Sequence, residues 1–135
     1  MPYATITPGA SWLAFYKERP SQYDVTPSIA EAERFIDTTF AAWDRSHWSG
    51  PNVPPTVRSI AEKIASADFL YRRWMERNPD ADRRENPSSE LRRQAVEEAE
   101  QSVERGWVLG ANGEPQYPIG QNGTYDLSVS GRVTR

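Results

Sequence analysis

Hydrophobic side chains recur at helical spacing in three stretches of the chain, and the first covers residues 27–44. Its apolar positions are three or four residues apart, which places them on one face of a helix. They are Ile29, Ala32, Ile36, Phe40 and Trp43. Pro27 suits the first turn of a helix and Thr26 can cap it, while a capping box from Ser28 to Glu31 is an alternative start. We predict a helix over residues 27–44.

The second stretch is the longest, and it begins at Pro54-Pro55. Proline is tolerated in the first turn because the amide there has no helical partner. The apolar positions then follow spacings of three and four: Val57, Ile60, Ile64, Ala67, Tyr71 and Trp74. Asn78 precedes Pro79, and the residue before a proline is disfavoured in a helix. We predict that this helix ends at about Arg77.

The third stretch runs from Asn86-Pro87 to Glu104 and is much more polar. Its apolar line is narrow, and consists of Leu91, Ala95, Ala99 and Val103. Gly106 is well placed to end the helix. A shorter apolar run at residues 11–16 can add about two turns before Pro20 stops it.

These stretches predict a mostly α protein, a three-to-four-helix bundle with an extended or β-hairpin C-terminal tail. Polar, proline-bounded loops are expected at residues 46–52 and 78–87. Six side chains are predicted to form the centre of the core: Ile36, Phe40, Ile60, Ile64, Tyr71 and Trp74.

The last thirty residues change character and become rich in glycine. Asn112-Gly113 and Asn122-Gly123 are hairpin signals. Three apolar residues then alternate with polar ones at the period of a strand: Tyr125, Leu127 and Val129. We therefore divide the chain into a helical domain, residues 1–109, and a tail arm, residues 110–135. An isolated hairpin is marginal in water, so the tail is expected to lie on the helical body or to pair with another chain.

Composition adds that the core is thin for a chain of this size. Only 37% of the 135 residues are hydrophobic, and 14 of the 16 basic residues are arginine. Arginine and aromatic side chains are favoured at protein interfaces, so this chain is expected to complete its burial against other subunits. It has no cysteine, no apolar run long enough to span a membrane and no signal-peptide pattern, which favours a soluble protein of a reducing compartment.

Candidate chemistry is sparse. His47 and Asp44 can be read as an acid–base dyad, but a histidine in a loop or in packing is the more common case. The carboxylates of the third stretch can be read as metal ligands, although the interleaved arginines favour a solvated face of ion pairs. No nucleophile motif, nucleotide loop or cofactor motif is present. We therefore predict no enzyme activity, no metal and no cofactor.

Nucleic-acid binding is a stronger alternative, because basic residues lie along the second stretch: Arg58, Lys63, Arg72, Arg73 and Arg77. Aromatic residues interleave with them, as in some nucleic-acid-binding surfaces. However, the whole chain carries a net charge of -3, whereas a dedicated binder is usually basic.

The order of these signals resembles the small head–tail connector, or adaptor, proteins of tailed bacteriophages, over roughly residues 3–109. The resemblance rests on Ile36-Asp37, on Val53-Pro54-Pro55 before residues 57–65 (VRSIAEKIA), and on the tyrosine–arginine end at residues 70–73 (LYRR). It also rests on the last helix, which passes through two alanines to a glycine.

The resemblance implies a subunit of a homo-oligomeric ring, a dodecamer beneath the portal protein in the virion neck, made in the host cytoplasm. Packaged DNA would pass through the ring without sequence-specific binding, and tail-completion or stopper proteins would dock below it. The alternatives are a tail-completion or stopper protein of the same neck and a small nucleic-acid-binding regulator. Nine residues are interface candidates: Arg72, Arg73, Arg92, Arg93, Trp107, Tyr117, Tyr125, Leu127 and Val129.

Overall fold

The computed structural model describes residue 3 and residues 25–80 and 88–120, and within these the chain is mostly helical, as predicted. The helices are α1 (Thr26–Thr39), α2 (Pro55–Arg77) and α3 (Ser89–Arg105), with a 3-10 turn at Gly50–Asn52. Two short strands follow, β1 (Val108–Leu109) and β2 (Pro115–Gln116). The predicted helix at residues 11–16 lies outside the described residues.

Helix α2 is the central element, because α1 and α3 both pack against it. Side-chain contacts show the directions of the helices. Ser28, near the start of α1, donates a hydrogen bond to Asp68, near the end of α2. Lys63 of α2 pairs with Glu98 of α3, and Thr56 at the start of α2 lines the same pocket as Arg105 at the end of α3. Each flanking helix therefore runs antiparallel to α2, and α1 and α3 run parallel to each other on it.

The structure places four of the six predicted core side chains at the centre and two at its edge. Those fully buried are Ile36, Phe40, Ile60 and Ile64. Tyr71 and Trp74 are half-buried instead. The reason is helix length, since α2 has 23 residues whereas α1 has 14 and α3 has 17. The end of α2 therefore extends past the start of both flanking helices, and the core does not reach that far.

Helix α1 is shorter than predicted, because it ends at Thr39 rather than at residue 44. Arg45 folds back on this end, where its Nη1 donates to the carbonyl oxygens of Phe40 (2.8 Å) and Trp43 (3.2 Å). These bonds satisfy carbonyls that a longer helix would use. Trp43 is thereby released from the helix and forms a β-bridge with Pro118.

The other helix ends agree closely with the sequence signals. Helix α2 begins at Pro55 and ends at Arg77, and Asn78 closes it through its backbone amide and side chain. Gly106 ends α3 in the left-handed conformation, with φ of 86°. At the start of α1, Ser28 does not form the capping box, because its hydroxyl bonds to Asp68 of α2. The predicted start of α3 at residues 86–87 lies outside the described residues.

The first part of the predicted tail is a hairpin that lies on the helical body. Strands β1 and β2 are antiparallel, and Gly113, with φ of 87°, lies in the turn between them. The amide of Ile119 donates to the carbonyl oxygen of Ala42 at 2.7 Å. The predicted boundary between residues 109 and 110 therefore falls inside this hairpin. Asn122-Gly123 lies outside the described residues.

Candidate interaction surfaces

The candidate acid–base dyad is not assembled in the described part of the chain. The Oδ1 atom of Asp44 accepts hydrogen bonds from the amide (3.0 Å) and the hydroxyl (2.7 Å) of Ser46. These bonds lower the pKa of Asp44, because they stabilise the carboxylate. His47 is exposed and its ring makes no hydrogen bond to Asp44 among the described contacts. The carboxylate thus shapes a turn.

The carboxylates of α3 are engaged in ion pairs between and along helices. Glu90 and Glu97 both pair with Arg93, while Glu98 pairs with Lys63 and accepts a hydrogen bond from Ser59. Within residues 25–80 and 88–120, no three histidine or acidic side chains gather where they could hold a metal ion.

Two of the predicted interface arginines lie beside carboxylates where the three helices meet. The Nε atom of Arg72 donates to Asp68 at 2.6 Å, and this hydrogen bond raises the pKa of Arg72. Arg92 of α3 lies 3.7 Å from Glu31 of α1. Glu31, Asp68 and Arg92 line a cavity of about 350 Å³ between the three helices, together with Ala67, Tyr71 and Ser88. Arg92 therefore connects α3 to α1, whereas Arg72 is linked to α1 through Asp68, which also accepts a hydrogen bond from Ser28.

The other two predicted arginines form pairs within their own helices. Arg73 pairs with Glu76 at 2.6 Å, and Arg93 pairs with Glu97 at 2.6 Å and with Glu90. Hydrogen bonding to Arg93 lowers the pKa of Glu90. Exposed pairs of this kind add little to stability, because water screens them.

Two interface candidates follow α3 within the described residues, Trp107 and Tyr117. Trp107 is half-buried, and the Arg105 guanidinium lies 4.4 Å above its ring in a cation–π contact. Tyr117 is half-buried as well. The other three tail candidates lie outside the described residues: Tyr125, Leu127 and Val129.

A buried aromatic cluster, which sequence reasoning missed, joins α1 to the hairpin. The ring of Phe40 meets Trp43 and Trp48 edge to face, and Tyr3 meets Trp48 in the same way. Gln116 of β2 accepts hydrogen bonds from both tryptophans of this cluster. Its side-chain oxygen accepts from Trp48 Nε1 at 2.7 Å, and its backbone oxygen accepts from Trp43 Nε1 at 3.1 Å. A buried tryptophan needs such a partner, but only the fold shows which residue supplies it.

Gly110 makes room for this contact. A Cβ atom at Gly110 would lie 2.5 Å from the Gln116 side-chain nitrogen and 3.0 Å from the Glu114 carbonyl oxygen. Both distances are shorter than van der Waals contact, so only glycine lets the Gln116 amide lie where it reaches Trp48.

We expect Gln116→Ala to lower the free energy of unfolding by about 1–2 kcal/mol, because it leaves the buried Trp48 N–H without its acceptor. Tryptophan fluorescence during urea unfolding measures the loss and also reports the change around Trp48. Gln101→Ala is the matched control, since Gln101 is exposed on α3, and we expect a change within about 0.5 kcal/mol there. Equal losses in the two variants would contradict the role assigned to Gln116.

An apolar groove with an acidic edge lies between α1 and α3, and encloses about 610 Å³. It exists because both helices pack on α2 and leave a gap between them. We call it the α1/α3 groove, and its lining residues are Phe35, Thr39, Val96, Ala99, Glu100, Val103 and Glu104. Val103 is 43% exposed, which is high for a large apolar side chain. Glu100 and Glu104 are exposed on the α3 side.

The projecting end of α2, residues 71–77, has the opposite character, and we call it the α2 overhang. None of its seven residues is buried. Its large apolar side chains, Tyr71, Trp74 and Met75, are half-buried, while Arg72 and Arg77 are exposed. One subunit thus carries an apolar groove with an acidic edge and, on a different part of its surface, a basic aromatic projection.

No protein-family model, curated protein or solved structure matches this chain. Among the described residues, no helix is both long enough and apolar enough to cross a membrane.

Proposed function

We propose that this chain is a structural subunit of a tailed-bacteriophage neck, a head–tail connector that forms a ring beneath the portal protein. The observation that supports it best is the pair of unlike surfaces, the α1/α3 groove and the α2 overhang. In a closed ring, each subunit meets its neighbours through two different patches that must complement each other. The resemblance over residues 3–109 supplies the class of ring.

The proposal includes the finer parts of the predicted fold. A fourth helix at residues 11–16 would complete the bundle, and an extended tail at residues 121–135 would reach the portal or a neighbouring subunit; both lie outside the described residues. Adding a strand to an existing sheet is one way in which such a tail can bind. Twelve subunits would follow the symmetry of the portal, and tail-completion or stopper proteins would bind the opposite side.

Packaged DNA would pass through this ring with weak contacts only. The chain carries a net charge of -3, so the subunits as a whole repel a phosphate backbone. A wall that does not grip DNA suits a channel through which DNA must move.

Co-expression with the portal protein of the same phage tests the proposal. We expect electron microscopy and native mass spectrometry to show twelve copies on one face of the portal. Portal that remains bare, in a preparation where the chain is folded by circular dichroism, would sink the connector function. Binding only to a connector already on the portal would favour a tail-completion or stopper protein instead. Steeply salt-dependent retardation of DNA would favour the nucleic-acid-binding regulator.

A further inference from the structure

We infer that the α2 overhang of one subunit docks in the α1/α3 groove of the next copy. This inference rests on the proposed ring and identifies the two surfaces that would close it. It joins two parts of the described helical body whose large apolar side chains are not fully buried.

The two surfaces match in length. The groove follows α3 from Val96 to Val103, eight residues of helix, or about 12 Å at 1.5 Å per residue. The overhang comprises seven residues of α2 and has a similar length, about 10 Å. Phe35 and Val96 on the groove walls can therefore face Trp74 and Met75 along the whole contact. Aromatic and methionine side chains are those enriched at the centre of protein interfaces.

The two surfaces also match in charge. The overhang holds three arginines and one glutamate, for a net charge of +2, and two of these arginines also pair within α2, Arg72 with Asp68 and Arg73 with Glu76. Helix α1 holds three acidic residues and one arginine, and α3 holds five acidic residues and three arginines, so each carries a net charge of -2. Glu100 and Glu104 lie where an incoming arginine would pass the rim. Opposite charges at the rim of an interface speed association and fix its register.

Geometry requires that the two surfaces come from different copies. Residues 71–77 lie beyond the start of α1 and α3, whereas Thr39, Val103 and Glu104 lie at the far ends of those helices. A continuous helix cannot bend back along its own side, so α2 cannot fill the groove of its own subunit. A contact between unlike patches repeats from copy to copy and generates a ring when the rotation closes.

Disulfide trapping tests this contact, because the chain has no cysteine of its own. Val103→Cys places a thiol in the groove and Met75→Cys places one on the overhang. We mix the two single variants, one of them tagged, under mild oxidation and measure mixed dimers by mass. We expect at least tenfold more mixed dimer than when either variant is mixed with Ala111→Cys, a control at an exposed position in the hairpin turn. A yield no higher than this control, or mainly Val103→Cys homodimers, would overturn the proposal.

Charge reversal gives an independent test with a built-in rescue. Glu100→Arg with Glu104→Arg, and separately Arg77→Glu, should each reduce mixed-dimer formation by about tenfold, which is about 1.4 kcal/mol of association free energy. All three changes in one chain should restore it, because the reversed charges attract again. Glu114→Arg, an exposed change in the hairpin, should have no effect. If the triple variant fails to recover although it remains folded, the pairing is wrong.

The two proposals fail in different ways. If a ring still forms on the portal when the subunits carry these substitutions, the connector function stands and the assigned contact is wrong. Efficient trapping together with a bare portal would support the contact and remove the connector function.

Discussion

Replacing Phe40 with alanine is expected to lower the free energy of unfolding by about 3–5 kcal/mol. Phe40 is fully buried, and its ring centre lies 5.2 Å from that of Trp43 and 5.8 Å from that of Trp48. Removing the ring leaves a cavity between two large side chains that cannot easily close it. The aromatic cluster joins α1 to the hairpin, so both elements lose support. Urea unfolding followed by circular dichroism measures the loss.

Phe35→Ala is the matched control for this prediction. Phe35 lies on the same helix but lines the α1/α3 groove, where it is only half-buried. Because alanine there removes less buried surface and creates no closed cavity, we expect a loss of about 1–2 kcal/mol. If Phe35→Ala cost as much as Phe40→Ala, the core would extend into the groove, and the groove would not be a free surface.

Ala95→Leu is expected to destabilise the chain by about 2–3 kcal/mol, through overpacking. Ala95 lies on the face of α3 that packs against α2 and has no exposed surface. Its neighbours on that face, Ala99 and Ser102, are also small and buried. Small side chains let two helices approach closely, so there is no room for three more carbon atoms. Chemical denaturation of the variant measures the effect.

The sign of this effect separates two views of α3. Read from the sequence, its narrow apolar line predicts weak packing, and a leucine would then add useful apolar surface. The structure predicts that Ala95→Leu lowers stability instead, because the small residues of this apolar line lie where α2 and α3 are in closest contact. Gln94→Leu adds a comparable side chain at an exposed position, and a change within about 0.5 kcal/mol is expected. A stabilised Ala95→Leu would contradict close packing between α2 and α3.

Helix ends and turns that depend on local backbone preference were predicted well. Pro55 and Asn78-Pro79 bound α2, and Gly106 ends α3, as expected from the sequence. Proline and glycine restrict or permit backbone angles whatever surrounds them, so their effect can be read before the fold is known. The turn at Asn112-Gly113 belongs to the same group.

Features that depend on a partner distant in the sequence were predicted less well. Tyr71 and Trp74 share the apolar face of α2 with Ile64, but periodicity cannot show where the covering helices end. The end of α1 was placed too late because Arg45 satisfies carbonyl oxygens that a longer helix would have used. Sequence reasoning also missed the bond from Trp48 to Gln116, which joins residues 68 positions apart.

The same distinction between local and long-range causes applies to the candidate surfaces. The sequence by itself determined the mostly helical class, the bounds of α2, and the arginine-rich, weakly apolar composition that favours contacts with other subunits. Only the tertiary structure decided which of those side chains are buried and which are exposed. It paired Arg72 with Asp68 of the same helix and Arg92 with Glu31 of α1, and it created the α1/α3 groove between two helices that both pack on α2. Local backbone preference is fixed by neighbours in the chain, whereas exposure depends on which elements are long enough to cover one another.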